Sequence, residues 1–473
     1  MTSNGVSQRW HLRSSEQRFL LILGDLLAGI LALLIALFVW GTSSSEWLGF
    51  NLEFLRTRPP FWFYILPFLW LILMIELYDL KRAHKLMDTL KGIGLATILY
   101  ATLYLIIYFS SEPNSLPRLG VAVFVGSIAI LTLIWRMLYI RLFTAPNMMR
   151  RVMIIGAGKA GQTLVEVVSE QNPAPFNLIG LVDDDPQKLG TRVHDFEILG
   201  NSLSLNELIR TYKISDLILA ISGELNNSMF QSILSAQEAG INLSTMSEIY
   251  EELLTRVPIF LLEADWIIRS FVEKISSSSF YNMLKRGMDL LGGVIGTILM
   301  LTFLPFIAIA ILIESGKPVF YKQERLGRGG TPYILYKFRT MKRDAEKDGE
   351  VMLTSKKDPR VTRVGRILRK MHLDEFPQFF NVLQGNMSLV GPRAERAELV
   401  AKFQKEIPFY RARLLVKPGI TGWAQINQAY AETSEEMAIK LEYDLYYIQH
   451  RNIFMDIMIV LRTIGNSLGF KGR

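Results

Sequence analysis

Residues 360–393 carry the side chains in this chain that are best suited to chemistry, in the run RVTRVGRILRKMHLDEFPQFFNVLQGNMSLVGPR. An adjacent acidic pair, Asp374 and Glu375, follows a series of arginines and precedes a second arginine, Arg393. Guanidinium groups bind phosphate oxygens in pairs, and carboxylates either attack phosphorus or hold a divalent cation. The stretch therefore predicts a phosphoryl-transfer site.

A helix must position these side chains. Its arginines recur at every third residue and form a basic strip that is expected to face phosphate or anionic lipid, or simply water: Arg360, Arg363, Arg366 and Arg369. On a helix Asp374 and Glu375 would point about 100° apart, which favours two separate roles over a shared proton. Pro377 suits a first helical turn, so the pair is predicted at a helix N-terminus, where amides and the dipole favour anions. Asp374 as a simple N-cap is the alternative.

Composition indicates a protein that is part membrane and part soluble. The 473 residues are 50% hydrophobic and carry a net charge of +8, which favours anionic partners or marks the flanks of membrane segments. There is no cysteine, so disulfides and thiolate metal sites are excluded, and five histidines without an HExxH pair argue against a zinc centre.

Four apolar stretches lie within residues 1–150, at 19–40, 61–78, 93–109 and 119–143. Each approaches or exceeds the ~20 residues that a helix needs to cross a bilayer. Basic residues precede the first stretch, separate the second from the third and follow the fourth, so both ends of a four-helix transmembrane bundle are expected in the cytoplasm. Arg136 falls inside the fourth stretch and would need a partner, a polar cavity or a path to the interface.

Residues 151–270 are predicted to form a Rossmann-like cytoplasmic α/β domain. A buried strand leads into Gly156, Gly158 and Gly161, and a second strand ends at Asp183, where an acid would meet a ribose. Three interpretations stay open for this pattern: catalytic NAD chemistry, regulatory nucleotide binding, or a structural remnant. The domain is expected to hold about one mononucleotide-binding half, and the two YxxxK matches, at Tyr281 and Tyr333, are not expected in dehydrogenase-like helices.

A fifth apolar stretch, residues 288–313, has basic residues on both sides. Both of its ends therefore favour the cytoplasm. Pro305, near the middle, removes a backbone donor and predicts a sharp break. We expect a re-entrant helix-break-helix over residues 287–313 that enters and leaves the membrane by one face. An ordinary kinked span is the alternative, and it would place the rest of the chain outside the cell.

Three motifs after this stretch resemble those of the bacterial polyprenyl-phosphate sugar phosphotransferases, the monotopic phosphoglycosyl transferases. They are LYKFRTM at 335–341, LRKMHLDEFPQFFNVLQGNMSLVGPR at 368–393 and VKPGITGWAQIN at 416–427. The resemblance covers nearly all of a catalytic domain at residues 282–473. The four-span bundle and the Rossmann-like domain ahead of it are similar to the large, WbaP- and WcaJ-like subfamily.

The resemblance implies a mechanism. Asp374 would attack the β-phosphorus of a UDP-sugar, expel UMP and hold a covalent phosphosugar, which undecaprenyl phosphate would then accept. Glu375 would assist, and both carboxylates would bind Mg²⁺. The residues implied near the substrate are Lys337, Arg339, Arg369, Arg393 and Asp444, and those implied at the foot of the re-entrant helix are Lys285, Arg286 and Asp289. Ala394 stands where the family usually has proline, which leaves the local turn open.

The resemblance further implies a multi-pass protein of the bacterial inner membrane with cytoplasmic soluble domains. The expected partners are a UDP-sugar, undecaprenyl phosphate and the lipid bilayer, with no nucleic acid and with a homodimer as a candidate state. Two other hypotheses stay open at this point: a membrane-tethered NAD-dependent sugar-nucleotide epimerase or dehydratase, and a non-catalytic scaffold that senses nucleotide. The sequence does not identify the sugar.

Overall fold

The computed structural model describes residues 14–43, 50–110, 118–143, 149–221, 223, 225–261, 279–342, 358–428 and 433–467. They divide into two compact units, Met1–Met246 and Ser247–Arg473, which are taken in turn below.

The first unit begins with apolar helices. They are α1 (Ser14–Ser43), α2 (Leu52–Thr57), α3 (Phe61–Leu73), α4 (Leu80–Ala83), α5 (Leu86–Ser110) and α6 (Arg118–Phe143), with a 3-10 turn at Ile75–Tyr78. Within the described residues, α1, α5 and α6 of this unit are long and apolar enough to cross a membrane. The 13 residues of α3 span only about 20 Å, less than the ~30 Å hydrocarbon core. The second predicted span is therefore a shorter helix followed by a 3-10 turn.

Arg136 explains why the chain leaves helical geometry near Leu77. Its Nη1 donates to the Leu77 carbonyl oxygen at 2.7 Å. On its other side the guanidinium donates to both carboxylate oxygens of Asp25, from Nη2 at 2.6 Å and from Nε at 3.3 Å. Both side chains are fully buried. The intramembrane arginine has thus found a partner on α1 that the sequence analysis did not identify.

A six-stranded sheet follows in the same unit. Its elements are β1 (Arg151–Ile155), α7 (Lys159–Ser169), β2 (Asn177–Val182), β3 (Arg192–Val193), β4 (Phe196–Gly200), α8 (Leu205–Tyr212), β5 (Asp216–Leu219), α9 (Asn227–Glu238) and β6 (Asn242–Thr245). The strand order is β3-β4-β2-β1-β5-β6, and only the β3–β4 pair is antiparallel. The five parallel strands have the 3-2-1-4-5 order of a doubly wound fold. The domain is therefore larger than the single mononucleotide-binding half expected from the sequence.

The glycine turn after β1 is built for close packing. Gly156 has φ +104°, and a Cβ there would lie 2.7 Å from the Ala220 carbonyl oxygen. A Cβ on Gly161 would lie 2.0 Å from the Gly156 oxygen, whereas Gly158 has open space. The Asp183 carboxylate accepts the Ala157 N–H at 2.7 Å, and this bond, with Lys188, outweighs burial and lowers the pKa of Asp183. Asp183 therefore holds the glycine turn itself, and nucleotide binding here stays a prediction.

The second unit contains all but the first residue of α10 (Met246–Leu254). Its other helices are α11 (Ser279–Ser315), α12 (Arg363–Lys370), α13 (Gln378–Gln384), α14 (Ala397–Glu406), α15 (Trp423–Asn427), α16 (Ser434–His450) and α17 (Ile453–Ser467). Its strands are β7 (Phe320–Leu326), β8 (Pro332–Phe338), β9 (Ser388–Val390) and β10 (Gly419–Thr421). β7 and β8 form an antiparallel hairpin, and β9 and β10 pair in parallel. A core that includes Leu441, Leu445 and Ile448 of α16 packs beneath them.

α11 runs without interruption through Pro305 for 37 residues. The structure thus differs from the sharp break predicted there. Proline removes one backbone hydrogen bond, and the long apolar turns on either side keep water from competing for the others.

A strap formed by residues 247–261 is held against α16. The Val257 N–H donates to the Glu442 carbonyl oxygen at 3.1 Å, and the Trp423 indole N–H donates to the Thr255 carbonyl oxygen at 3.0 Å. The Glu442 carboxylate accepts the Tyr250 hydroxyl at 3.1 Å and lies 3.3 Å from Arg256 Nε. Burial raises the pKa of Glu442 to about 7, although Arg256 and Tyr250 oppose the rise.

The second unit is expected to lose stability as the pH rises from about 4.5 to about 7. The folded protein holds the Glu442 proton above the pH at which the unfolded chain releases it, so this stabilisation is complete below the unfolded pKa and lost above the folded one. Thermal unfolding between pH 5 and 8 measures it. Glu442→Gln should flatten the dependence, and Glu435→Gln, on the exposed start of the same helix, should preserve it. A wild-type midpoint that rises across this range would contradict the assignment.

Candidate active site

The acidic pair lies on a short 3-10 turn, Leu373–Glu375, between α12 and α13. His372 adopts a left-handed conformation with φ 56° that reverses the chain after α12, and Pro377 is the N-cap residue of α13. α12 is fixed through Gly365, where a Cβ would lie 2.1 Å from the Thr340 carbonyl oxygen. This close approach packs α12 against the residues that follow β8.

Glu375 carries the electrostatic contacts of the pair. Its Oε1 accepts hydrogen bonds from Lys337 Nζ at 2.8 Å and from Arg393 Nη2 at 2.6 Å. Burial would raise the pKa of Glu375, but Arg393 and Lys337 hold it well below its ordinary value. Glu375 is therefore ionised at neutral pH. Arg393 still has 41% of its side chain exposed, which leaves donors for a ligand.

Asp374 has a different environment. Its residue is 8% exposed, and within the described part of the chain it has no hydrogen-bond or ion-pair partner. Burial, and then the neighbouring charge of Glu375, raise the pKa of Asp374, while Lys337, Arg369 and Arg393 act in the opposite direction. The carboxylates thus have separate environments: Glu375 neutralises cations, and Asp374 has unshared oxygen lone pairs.

Three glycines position Arg393. A Cβ on Gly391 would lie 2.4 Å from the Lys417 carbonyl oxygen, one on Gly419 2.1 Å from the Gly391 nitrogen, and one on Gly422 2.2 Å from the Gly391 oxygen. The VGPR and VKPGITG motifs are therefore locked together backbone to backbone. Ala394, which stands where proline was expected, is held instead by Arg325 Nη1, which donates to its carbonyl oxygen at 3.1 Å.

A buried charge network lies behind Arg393. Asp444, predicted near the substrate, is 1% exposed and accepts Arg413 Nη2 at 2.7 Å. The same Nη2 reaches the Arg393 carbonyl oxygen at 3.4 Å, and Glu395 lies 3.3 Å from Arg413 and 3.4 Å from Lys440. Arg413 and Glu395 were not among the site residues predicted from the sequence. Their only sequence signal is the position of Glu395 two residues after Arg393 and of Arg413 three residues before Val416, where VKPGITG begins.

Two further predicted residues serve the framework around the pair. Arg339 Nη2 donates to the Ser315 carbonyl oxygen at 2.7 Å and to that of Gly316, so it closes the end of α11. Arg369 Nε donates to Thr340 Oγ1 at 2.9 Å, which keeps its charge beside Asp374. A substrate role for either arginine stays a prediction.

The residues predicted at the foot of α11 bind it to the rest of the unit. Lys285 Nζ pairs with the fully buried Asp456 at 2.9 Å. Arg286 donates to the Val382 and Leu383 carbonyl oxygens at the end of α13, both at 2.9 Å. Asp289 accepts the Ser388 hydroxyl at 2.8 Å and the Leu389 N–H at 2.9 Å. These contacts join α11 to β9 and hence to the turn that carries Arg393.

The carboxylates of the acidic pair fit a magnesium site only if substrate phosphates and water supply the remaining ligands. No group of three or more acidic or histidine side chains suited to a metal occurs among the described residues. Mg²⁺ is commonly held by one or two carboxylates together with substrate phosphates and water. Asp374, with unshared lone pairs, and Glu375, whose hydrogen bonds to Lys337 and Arg393 both use Oε1, match that pattern.

Comparison with known proteins identifies relatives of both units. A family model described as bacterial sugar transferase matches residues 280–469, and one described as CoA-binding domain matches residues 74–243. A solved structure of UDP-D-quinovosamine 4-dehydrogenase from Vibrio fischeri is 27% identical and covers 20% of this chain and 77% of that chain, but its TM-score of 0.19 is too low to carry a conclusion.

Curated relatives match over longer stretches. The UDP-N-acetylgalactosamine-undecaprenyl-phosphate N-acetylgalactosaminephosphotransferase of Aeromonas hydrophila is 41% identical over 50% of this chain and 54% of its own length. The UDP-glucose:undecaprenyl-phosphate glucose-1-phosphate transferases of Escherichia coli K12 and Klebsiella pneumoniae are 32% and 34% identical, each over 68% of both chains. This chain thus spans about half of the first relative and two thirds of the others.

Proposed function

The chain belongs to the family of bacterial sugar transferases, and from that premise we propose that it transfers a phosphosugar from a UDP-sugar to undecaprenyl phosphate and releases UMP. The product would start a surface polysaccharide or O-antigen. The observation that carries the proposal is the division of labour in the acidic pair: Glu375 binds two cations, while Asp374 is buried among positive charge with no partner of its own in the described chain. The relatives named above supply the reaction class.

The proposed reaction has two displacements. An Asp374 carboxylate oxygen forms a bond to the β-phosphorus, and the bond from that phosphorus to the bridging oxygen breaks, so UMP leaves with the electron pair. A phosphate oxygen of undecaprenyl phosphate then attacks the same phosphorus and releases the Asp374 carboxylate. Division of one transfer into two easier steps is the advantage of a carboxylate nucleophile.

The neighbouring cationic side chains have different roles in the two displacements. Lys337 and Arg393 are within hydrogen-bond distance of Glu375 and beside Asp374, so their charge offsets that of a bound diphosphate. Arg369 adds positive charge from the end of α12. Mg²⁺ held by Asp374 and Glu375 would polarise the phosphoryl oxygens when bound.

Substrate turnover tests the proposal. Purified full-length protein in nanodiscs is incubated with Mg²⁺ and one of four donors, UDP-glucose, UDP-galactose, UDP-N-acetylglucosamine or UDP-N-acetylgalactosamine. One donor should give sustained UMP release with undecaprenyl phosphate, and about one UMP per protein without it. No release from any of these donors in the presence of the acceptor would overturn the proposal.

A one-faced membrane insertion of α11 is part of the same proposal. Near its start Lys285 pairs with Asp456, and near its end the Glu314 carboxylate accepts the N–H groups of Arg363 and Val364 at 2.7 and 2.8 Å. The 37 residues of α11 are more than enough to cross the ~30 Å hydrocarbon core, so a helix that crossed the bilayer would place these two ends on opposite faces. A crossing helix would therefore split one compact unit between two faces of the membrane. Insertion from the cytoplasmic face alone keeps Asp374 beside both the soluble donor and the lipid acceptor.

A reporter fused after Gly330 checks this topology. Green fluorescent protein should fluoresce there, and alkaline phosphatase should stay inactive, because both ends of α11 are expected in the cytoplasm. A fusion after Thr57, between α1 and α3, is the matched control and should give the opposite result. Phosphatase activity after Gly330 would make α11 an ordinary span and remove Asp374 from cytoplasmic UDP-sugars.

A further inference from the structure

The structure divides the basic strip that the sequence predicted before the acidic pair. Its first member, Arg360, donates to the Asp358 carboxylate from Nε at 2.9 Å and from Nη2 at 2.7 Å. Its last member, Arg369, places its charge beside the acidic pair. The two members between them, Arg363 and Arg366, are exposed on α12. They have no role in the reaction described above.

The outer surface of α12 carries two edges of different character. Its basic edge consists of Arg363, Arg366 and Lys370, all exposed. Within the described residues, the guanidinium of Arg366 and the ammonium of Lys370 have no hydrogen-bond or ion-pair partner. Its apolar edge consists of Ile367, which is 61% exposed, and the C-cap residue Met371, which is 54% exposed. Residues four apart share a helix face, and large exposed apolar groups rimmed by charge mark an interaction surface.

The inner face of α12 packs on the membrane segment α11. Leu368 is buried in a core that includes Ile307 and Ile311 of α11, and Val364 packs against the same core. The Glu314 carboxylate, next to the end of α11, accepts hydrogen bonds from the first two N–H groups of α12. α12 therefore lies along the second half of the apolar stretch of α11.

The apolar edge continues the exposed apolar surface of α11. Phe306 and Ile313 are exposed on the side of α11 that faces away from the shared core. By the periodicity of a helix, the apolar edge of α12 lies between its basic edge and Val364, which packs on α11. Apolar surface therefore extends from α11 onto α12 and ends at a line of positive charge.

An anionic bilayer surface fits this arrangement. A helix at a membrane interface places apolar side chains at the boundary with the acyl chains, and its Lys and Arg side chains lie among the lipid phosphates. The membrane segment α11 is directly beside α12, which brings that boundary to the apolar edge. α14 of the same unit differs, because its exposed residues include no large apolar side chain. α14 is therefore a suitable reference helix for a surface in water.

We propose that α12 docks on the anionic lipid surface of the membrane, with its apolar edge at the acyl boundary and its basic edge at lipid phosphates. The inference rests on the proposed function, since it takes α11 to enter the membrane from the cytoplasmic face. The acidic turn begins at Leu373, two residues after Met371. Docking of α12 therefore holds Asp374 close to the membrane surface, where the phosphate of a lipid acceptor lies.

Cysteine accessibility in nanodiscs tests this docking, because the chain has no cysteine of its own. Full-length Ile367→Cys, Phe306→Cys and Lys405→Cys are each reacted with a membrane-impermeant maleimide in nanodiscs of equal parts phosphatidylglycerol and phosphatidylcholine. Lys405, exposed on α14, supplies the reference rate for a side chain in water. Position 367 should react at least about 25-fold more slowly than position 405, because each basic side chain at an anionic surface contributes about a factor of five. Position 306, within the membrane segment, should be protected as well.

Removal of the charges should release the protection of the apolar edge. Arg366→Gln should raise the rate at position 367 by about 5-fold, and Arg366→Gln with Lys370→Gln should raise it by about 25-fold. Nanodiscs of phosphatidylcholine alone should have a similar effect, and none of these changes should alter the rate at position 306. Met371→Cys gives a second measurement of the apolar edge and should behave as position 367 does. Wild-type thermal midpoints of the variants verify folding.

Position 306 separates failure of this inference from failure of the proposed function. If position 306 is protected while positions 367 and 371 react as fast as position 405, α11 is in the membrane and the docking of α12 is overturned. Protection of position 367 that persists in phosphatidylcholine alone and in the charge variants would assign another cover to the apolar edge and also overturn the docking. Rapid reaction of position 306 contradicts the proposed insertion of α11 itself.

Discussion

Replacement of Asp374 by asparagine is expected to lower sustained UMP release by at least about 10³-fold, because the amide cannot form the acyl phosphate bond on which both displacements depend. Burial and the lack of a protein partner make Asp374 the carboxylate of the pair with an available lone pair. A donor labelled at the β-phosphate should label the wild-type protein in the absence of acceptor. The variant should take up no label.

Two controls separate this result from a folding defect. Glu398→Gln changes an exposed acid on α14 and should retain wild-type turnover and labelling. Asp374→Asn should keep the wild-type thermal midpoint within a few degrees, since the substitution removes no ion pair among the described residues. Near-wild-type turnover of Asp374→Asn would exclude it as the nucleophile. Label that persists on the variant would move the covalent site elsewhere.

Removal of either partner of the Asp25–Arg136 pair is expected to give the largest loss of stability in the chain. Both side chains are fully buried, and three hydrogen bonds satisfy the guanidinium. Asp25→Asn or Arg136→Gln leaves a charge buried without its counter-ion, which typically costs about 3–5 kcal/mol. Thermal unfolding in detergent, followed by the emission of bundle tryptophans such as Trp70 and Trp135, measures the loss.

The double variant Asp25→Leu with Arg136→Met tests whether the single variants lose stability through an unpaired buried charge or through altered packing. It removes both charges and keeps apolar bulk, so it should recover most of the stability lost in the single variants. The exposed pair on α2 supplies matched controls, since Glu53→Gln and Arg56→Gln should shift the midpoint very little. Single variants as stable as these controls would show that the ion pair does not hold the bundle together.

Comparison with the relatives confirms the family that the three catalytic motifs indicated. These motifs were readable because their requirements are local. Where two backbones pass closely, as at Gly391 and Gly419, only glycine fits, so the requirement is visible in the sequence. The acidic pair before Pro377 is visible in the same way. The long apolar helices were readable for the same reason, since bilayer thickness sets their length. The 3-10 turn after α3 was not readable, because its Leu77 carbonyl oxygen is bound by Arg136 from another helix.

The sequence by itself determined which residue types stand at the site, while the tertiary structure decided which charge meets which. Asp25 and Arg136 are 111 residues apart in the chain, Asp289 and Leu389 are 100 apart, and Arg413 and Asp444 are 31 apart. No periodicity connects such positions, because helix and strand rules act over a few residues. Desolvation on folding makes each buried charge depend on the partner that packing brings to it. That dependence separates Glu375, which is bound to Lys337 and Arg393, from Asp374, whose carboxylate has no partner among the residues described.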